Sequence, residues 1–87
     1  MSIQLHPPVA VAPRPRRPTP LRLASAAPAL WRVLDPTGRV IGHVQARNST
    51  GGTRYRARRF HVGSRAFRDL GDFWSIDDAL DCLRYTR

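Results

Sequence analysis

Lysine and glutamate are both missing from this chain: all fifteen basic residues are arginine and all six acidic residues are aspartate. A GC-rich coding sequence accounts for arginine replacing lysine, but not for the excess of basic over acidic residues. Cysteine is almost absent as well. Cys82 stands alone, so no internal disulfide can form. This fits a reducing cytoplasm, at the nucleoid if the host is bacterial. No apolar run approaches about 18 residues, so a helical membrane span is not expected. The N-terminal segment lacks the continuous apolar stretch of a secretory signal. It is acid-free and arginine-rich, as a mitochondrial transit peptide is, but seven prolines in its first 28 residues would break the required amphipathic helix.

Residues for catalysis or metal binding are also scarce. His6, His43 and His61 are scattered, and no C-x-x-C or H-x-x-x-H spacing occurs. Gly51-Gly52 has no Gly-Lys-Ser/Thr after it and is not a phosphate loop. Asp77, Asp78 and Asp81 read as helix-start electrostatics and a solvated face, and Cys82 as an inert thiol beside a core stripe. No enzymatic activity, cofactor, metal or small-molecule substrate is expected.

What is present is positive charge. The formal net charge is +9 and the isoelectric point is near 11.7. Such an excess favours polyanionic partners, namely nucleic acids or an anionic membrane surface. The charge is segregated: residues 1–68 hold thirteen Arg and one Asp, while residues 69–87 hold two Arg and five Asp. The basic surface therefore belongs to the N-terminal segment and the first part of the folded domain.

Prolines 7, 8, 13, 15, 18, 20 and 28 fix φ and remove backbone donors, so residues 1–29 read as a disordered Pro/Arg-rich arm with polyproline II character. Arg14, Arg16, Arg17 and Arg22 within it are candidate phosphate contacts. The Pro15 to Pro18 spacing also suits an aromatic groove on a partner protein. Residues 30–87 read as one small α+β domain. Trp31 to Leu34 is a β-type run, and Asp35-Pro36-Thr37-Gly38 has the residue order of a type I turn. Arg39 to Ala46 is a second strand, residues 47–52 a flexible connection, and Thr53 to Val62 a third strand. Arg65 to Leu70 is a possible fourth extended piece. Ser75 is a good helix N-cap, with Asp78 three residues later and Trp74 placed to staple against Ala79. Ile76, Ala79, Leu80 and Leu83 form one apolar stripe, which predicts a helix over Ile76–Tyr85. The expected architecture is a three- or four-stranded antiparallel sheet with one C-terminal helix packed on one face.

Strand side chains alternate between faces. Trp31, Val33, Val40, Val44, Ala46, Tyr55 and Ala57 form an apolar face for the helix to cover, with Phe60, Phe67, Leu70, Phe73 and Trp74 sealing its edges. The opposite face carries Arg32, Arg39, His43, Gln45, Arg47, Arg54, Arg56 and Arg58, with Leu34 and Ile41 as apolar exceptions. Like charges at this density destabilise a sheet unless a counter-charge screens them, and a nucleic-acid backbone supplies one. These eight residues are the candidate DNA-binding set.

The Arg-Tyr-Arg-Ala-Arg-Arg run at 54–59, followed by an aromatic residue and a capped helix opening Ser75-Ile76-Asp77-Asp78-Ala79, resembles the arm-type DNA-binding domain of tyrosine recombinases. The likeness covers residues 31–87 and lacks the recombinase catalytic domain. Trp31-x-Val33, Asp35-x-x-Gly38-Arg39-Val40, the 54–60 run and Phe73-Trp74-Ser75 also resemble short proteins of high-GC actinobacteria, a group sometimes labelled as DNA mismatch repair proteins. Both resemblances imply DNA binding in repair or recombination, with a larger DNA-processing protein as an expected partner. No ATPase motif or mismatch wedge accompanies the second.

The expected function is therefore non-enzymatic DNA binding by the basic sheet face, aided by the basic arm. Duplex DNA is favoured over RNA because an RNA-binding sheet normally exposes aromatic rings, and here the exposed face is expected to offer arginine instead. The alternative is a protein-interaction adaptor that docks a partner through the Pro-rich arm or exposed aromatic residues.

Overall fold

A computed structural model describes residues 12–86. Five strands, β1 (Arg22–Ala27), β2 (Leu30–Leu34), β3 (Val40–Ser49), β4 (Gly52–His61) and β5 (Ala66–Phe73), precede one helix, α1 (Ile76–Tyr85). The strands lie in chain order in one antiparallel sheet, so each pairs with its sequence neighbours through a short hairpin. The class is α+β with one C-terminal helix, as expected, but the sheet has five strands rather than three or four.

The extra strand at the start is β1. It corrects the reading of residues 1–29 as a disordered arm, of which 1–11 lie outside the described residues. Leu21 and Leu23 alternate with Arg22 and Ala24, and β1 pairs with β2 in the register Arg22 with Leu34 and Ala24 with Arg32. Pro28 and Ala29 make the turn between them, with Ala29 at φ 59°.

The Asp35 turn forms as the sequence indicates. The Gly38 amide donates to the Asp35 carbonyl at 2.9 Å, and the Asp35 carboxylate accepts from the amides of Thr37 and Arg39. The Thr37 hydroxyl, also donating to it, does most to hold that carboxyl below its ordinary pKa. Residues 47–52 are not a flexible connection. The β3–β4 ladder runs to the Ser49 and Gly52 pair, leaving only Thr50-Gly51 as the turn.

The helix packs on β3, β4 and β5. The Ser75 side chain accepts from the Asp78 amide at 3.1 Å, so the cap is in place. The apolar stripe is buried as expected, with Ala79, Leu80 and Leu83 each no more than 2% exposed. Opposite it lie Val33, Val44 and Ala57, and Trp31 is also buried on β2. Each fully buried large side chain of this kind contributes about 1.5–3 kcal/mol. Gly42 lets the helix approach the sheet: a Cβ there would overlap the Arg58 carbonyl and lie 2.7 Å from Leu83 Cδ2. Cys82 is partly exposed rather than buried, with its thiol 3.8 Å from the Thr86 hydroxyl.

Residues 12–21, before β1, form a strap alongside the helix. Its backbone amides at Arg16 and Arg17 donate to the two oxygens of Asp77 at 3.1 and 2.9 Å. The Arg17 guanidinium reaches Asp81 at 2.6 Å and Asp78 at 3.5 Å. At the strap's end Leu21 enters the core beside Val33 and Leu83. The strap amides, chiefly that of Arg17, hold the Asp77 carboxyl below its ordinary pKa. The Asp residues of the helix thus tie down the N-terminal segment, in addition to starting the helix.

Two bulges decide which side chains face the helix. Between β2 and β3, Val33 pairs with Gly42 and Leu34 with Val40, so Ile41 is an extra residue on β3. It packs against the core and leaves the basic face, while Val40, expected toward the helix, pairs with Leu34 on the open face at 36% exposed; the bulge corrects both placements. Between β4 and β5, Ala57 pairs with Gly71 and Arg58 with Asp69, so Leu70 is extra and also turns to the core. Gly71 adopts φ 136° at this bulge, a conformation that glycine tolerates and other residues rarely do.

Candidate nucleic-acid interface

The face of the sheet away from the helix is uncovered among the described residues. Cross-strand partners point to the same side, so the register gives its composition directly. One row runs Ala24, Arg32, His43, Arg58, Asp69; the next includes Gln45, Arg56 and Asp72; a third pairs Arg47 with Arg54. Arg22, expected in a free arm, joins this face through its pairing with Leu34. Six guanidiniums therefore share one surface with two carboxylates.

Seven of the eight sequence-predicted residues come together here: Arg32, His43, Gln45, Arg47, Arg54, Arg56 and Arg58. Arg39 does not. It lies at the end of the Asp35 turn, before the bulge, and lines a groove with Ile41, Arg59, Leu83 and Arg84 at the helix C-terminus. Of the arm set, Arg17 is committed to the helix carboxylates, whereas Arg14 and Arg16 line a cleft with Trp74 and Ser75. The strap also holds Pro15 and Pro18 near the helix, so this P-x-x-P segment is not a free tail.

The counter-charge on the basic row is internal. Arg56 Nε donates to Asp72 at 2.9 Å and its Nη2 to the other oxygen at 3.4 Å. Arg58 Nε donates to Asp69 at 2.8 Å, and Arg47 lies 3.9 Å from Asp72. The hydrogen bond from Arg56 is the main reason the Asp72 carboxyl sits below its ordinary pKa, and Asp72 in turn raises Arg56. Arg54 Nη2 donates to the Asp72 carbonyl at 3.0 Å, while its Nε is buried with no partner among the described residues. These pairs fix the guanidiniums in a planned row along β4 instead of leaving them to sweep through solvent. They correct the expectation that the row depends on an external counter-charge, but they leave four positive charges unmatched on the face.

Aromatic rings lie at both ends of that row. Phe60 and Phe67 are cross-strand partners on the open face, so they do not seal the core edge as expected. Their centroids are 5.2 Å apart in an edge arrangement, and the His43 ring stacks on Phe67 at 4.2 Å with 22° between planes. Phe67 is 40% exposed. Partial burial, reinforced by the Arg32 and Arg58 charges, pushes the His43 imidazole below its ordinary pKa, so the neutral ring is the form that stacks at pH 7. At the other end Trp74 is 57% exposed, with the Arg54 guanidinium 4.4 Å above its ring. Trp74 is thus a stacking surface for Arg54, a role its position before the cap did not suggest. Arg59, on the same strand but with the opposite parity, donates to the Leu83 carbonyl and closes the helix C-terminus.

Among the described residues no cluster of three or more His, Cys or Asp side chains is placed to hold a metal ion, and no helix is long and apolar enough to cross a membrane. Comparison with protein families, curated proteins and solved structures finds no match, so the reading of this face rests on the chain's own residues.

Proposed function

We propose that this protein is a non-enzymatic nucleic-acid-binding module, with DNA as its ligand and the open face of the sheet as its contact surface. The observation that carries the reading is the unmatched charge of that face: six guanidiniums against two carboxylates, with three of the arginines pre-positioned along one strand. Same-face side chains on a strand repeat every ~6.6 Å, so Arg54, Arg56 and Arg58 reach successive points along a phosphate backbone. Arginine suits this role because its planar fork donates to two phosphate oxygens at once. The recombination or repair setting implied by the sequence resemblances belongs to the same proposal. Of the two routes of the adaptor alternative, the Pro-x-x-P segment lies against the helix through the Arg16 and Arg17 amides, while the exposed rings Phe67 and Trp74 are taken as part of the nucleic-acid face.

The test uses the three open-face arginines with the lightest structural duties. Arg22, Arg32 and Arg47 replaced together by Gln leave the hydrogen bonds of Arg58 with Asp69 and of Arg56 with Asp72 in place and remove only the longer contact of Arg47 with Asp72. Affinity for DNA, followed by fluorescence anisotropy at several salt concentrations, should fall steeply at low salt. The slope of log affinity against log salt should flatten by up to about 0.7–0.9 per lost phosphate contact. A folded triple variant with wild-type affinity and slope would remove the sheet face from the reading.

A further inference from the structure

The preference for duplex DNA rested on an open face without aromatic rings, and the structure removes that premise. We propose that the open face takes DNA as a single strand, with an unpaired base stacked on the ledge formed by Phe67, His43 and Phe60. This rests on the reading of the face as a nucleic-acid surface and adds the strand state of the ligand.

A duplex hides the flat faces of its bases, so an exposed ring has nothing to stack on; an unpaired strand offers a π-face at every nucleotide. The ledge meets the requirement in three ways. Phe67 presents 40% of its surface to solvent on the edge strand β5, beside the end of the arginine row, where an apolar ring gains nothing from water. The ring is also pre-positioned. His43 stacks on it at 4.2 Å and Phe60 meets it edge-on at 5.2 Å, so little side-chain freedom is lost on binding. Finally, cations adjoin it: Arg58 and Arg32 flank His43 across the strands, in the register that places them beside the phosphates of a strand laid over the ledge.

The same track has a second stacking position. From Phe60 to Arg54 is six residues along β4, roughly 20 Å at the usual rise per residue. At that far end the Arg54 guanidinium lies over the exposed Trp74 ring. Ring, guanidiniums and ring thus alternate along one edge-to-edge line, which is the arrangement a single strand requires and a helical groove does not. The sugar is taken as deoxyribose from the reading of the face as a DNA surface, and oligouridylate is the probe that tests this part.

The experiment is an anisotropy titration of the full chain with three labelled probes of equal length: oligothymidylate, the corresponding DNA duplex, and oligouridylate. Oligothymidylate should bind at least tenfold more tightly than either of the others. Phe67→Leu keeps an apolar side chain but removes the π-face. It should weaken oligothymidylate binding by about 5- to 150-fold, the range spanned by one base–aromatic stack, and leave duplex binding and the salt slope unchanged. Phe67→Trp should restore or exceed wild-type affinity for the single strand. Circular dichroism establishes that each variant is folded. A folded Phe67→Leu variant with wild-type affinity for oligothymidylate, or equal or tighter binding of the duplex or of oligouridylate by the wild type, overturns the proposal. The charge reading of the face survives these outcomes provided the Arg22, Arg32, Arg47 variant still loses affinity. If wild-type protein binds none of the probes, both readings fall.

Discussion

Two arginine-rich regions that look alike in sequence are used in opposite ways. In the strap before β1, Arg17 pairs at the surface with Asp78 and Asp81, and the backbone amides of Arg16 and Arg17 close on Asp77. On the open sheet face, the β4 arginines are held by Asp69 and Asp72 but keep their outer edges in solvent, beside exposed rings. In the first region carboxylates outnumber the guanidinium and neutralise it; in the second they are outnumbered and orient the charge. The difference lies in stoichiometry. Three helix carboxylates face one strap guanidinium and two amides, whereas two carboxylates face six guanidiniums on the sheet. Local arginine density therefore says little about a binding surface until the acidic partners are placed.

The sharpest way to break the comparison is to detach the strap. Leu21 anchors it in the core at 8% exposure. Leu21→Ala should cost about 2–5 kcal/mol in urea unfolding, by the lost transfer energy and the cavity left behind. If the strap is only a tether, the remaining folded protein should still bind DNA; a loss of binding at full folding would merge the two regions into one site.

Acid should act on both regions together. The carboxyls of Asp77 and Asp72 have folded-state pKa values below their unfolded ones, so the stability they supply is fully present above an unfolded value of about 4. It is lost as pH falls through the lower folded values. Thermal melts should show Tm level from neutral pH to about 5 and falling below that. Asp77→Asn should lower Tm at pH 7 and reduce the acid-dependent part of the fall. An unchanged Tm profile would mean that the strap contact contributes nothing.

A smaller effect separates orientation from mere charge. Asp69 pairs with Arg58 at the surface, and pairs of this kind contribute little to stability, about 0–1 kcal/mol. Asp69→Asn should leave the melting curve nearly unchanged. It should raise DNA affinity at low salt modestly, by less than tenfold, and the gain should vanish at high salt. A large fall in affinity would mean that the Asp69 clamp matters more than the charge it removes.

Much of this arrangement was legible in the sequence. The helix boundaries, its Ser75 cap, the Asp35 turn and seven of eight face residues follow from residue chemistry and the two-residue period of strands. The position of Phe60 was legible too: it shares parity with Arg54, Arg56 and Arg58, and alternation alone assigns it to the open face. Its apolar character suggested the core instead. The bulges at Ile41 and Leu70 were not legible, because one extra residue resets the alternation without any local composition signal beyond Gly42 and Gly71. The first strand was hidden by its neighbours. Leu21 and Leu23 alternate correctly, but flanking prolines and the Ala/Ser content of β1 carry little strand propensity, and pairing with β2 supplies what propensity does not. The role of Asp77 as acceptor for the strap joins residues about sixty positions apart, beyond the reach of any local pattern.

Backbone amide NMR of the full chain, titrated with single-stranded DNA at low salt, tests the central claim most directly. Shift changes should concentrate at His43, Gln45, Arg56, Arg58 and Phe67, while Ala79 to Leu83 of the helix and Arg16 to Thr19 of the strap stay in place. Changes confined to the helix or the strap, with the sheet amides unmoved, would contradict the assignment of the open face as the nucleic-acid surface.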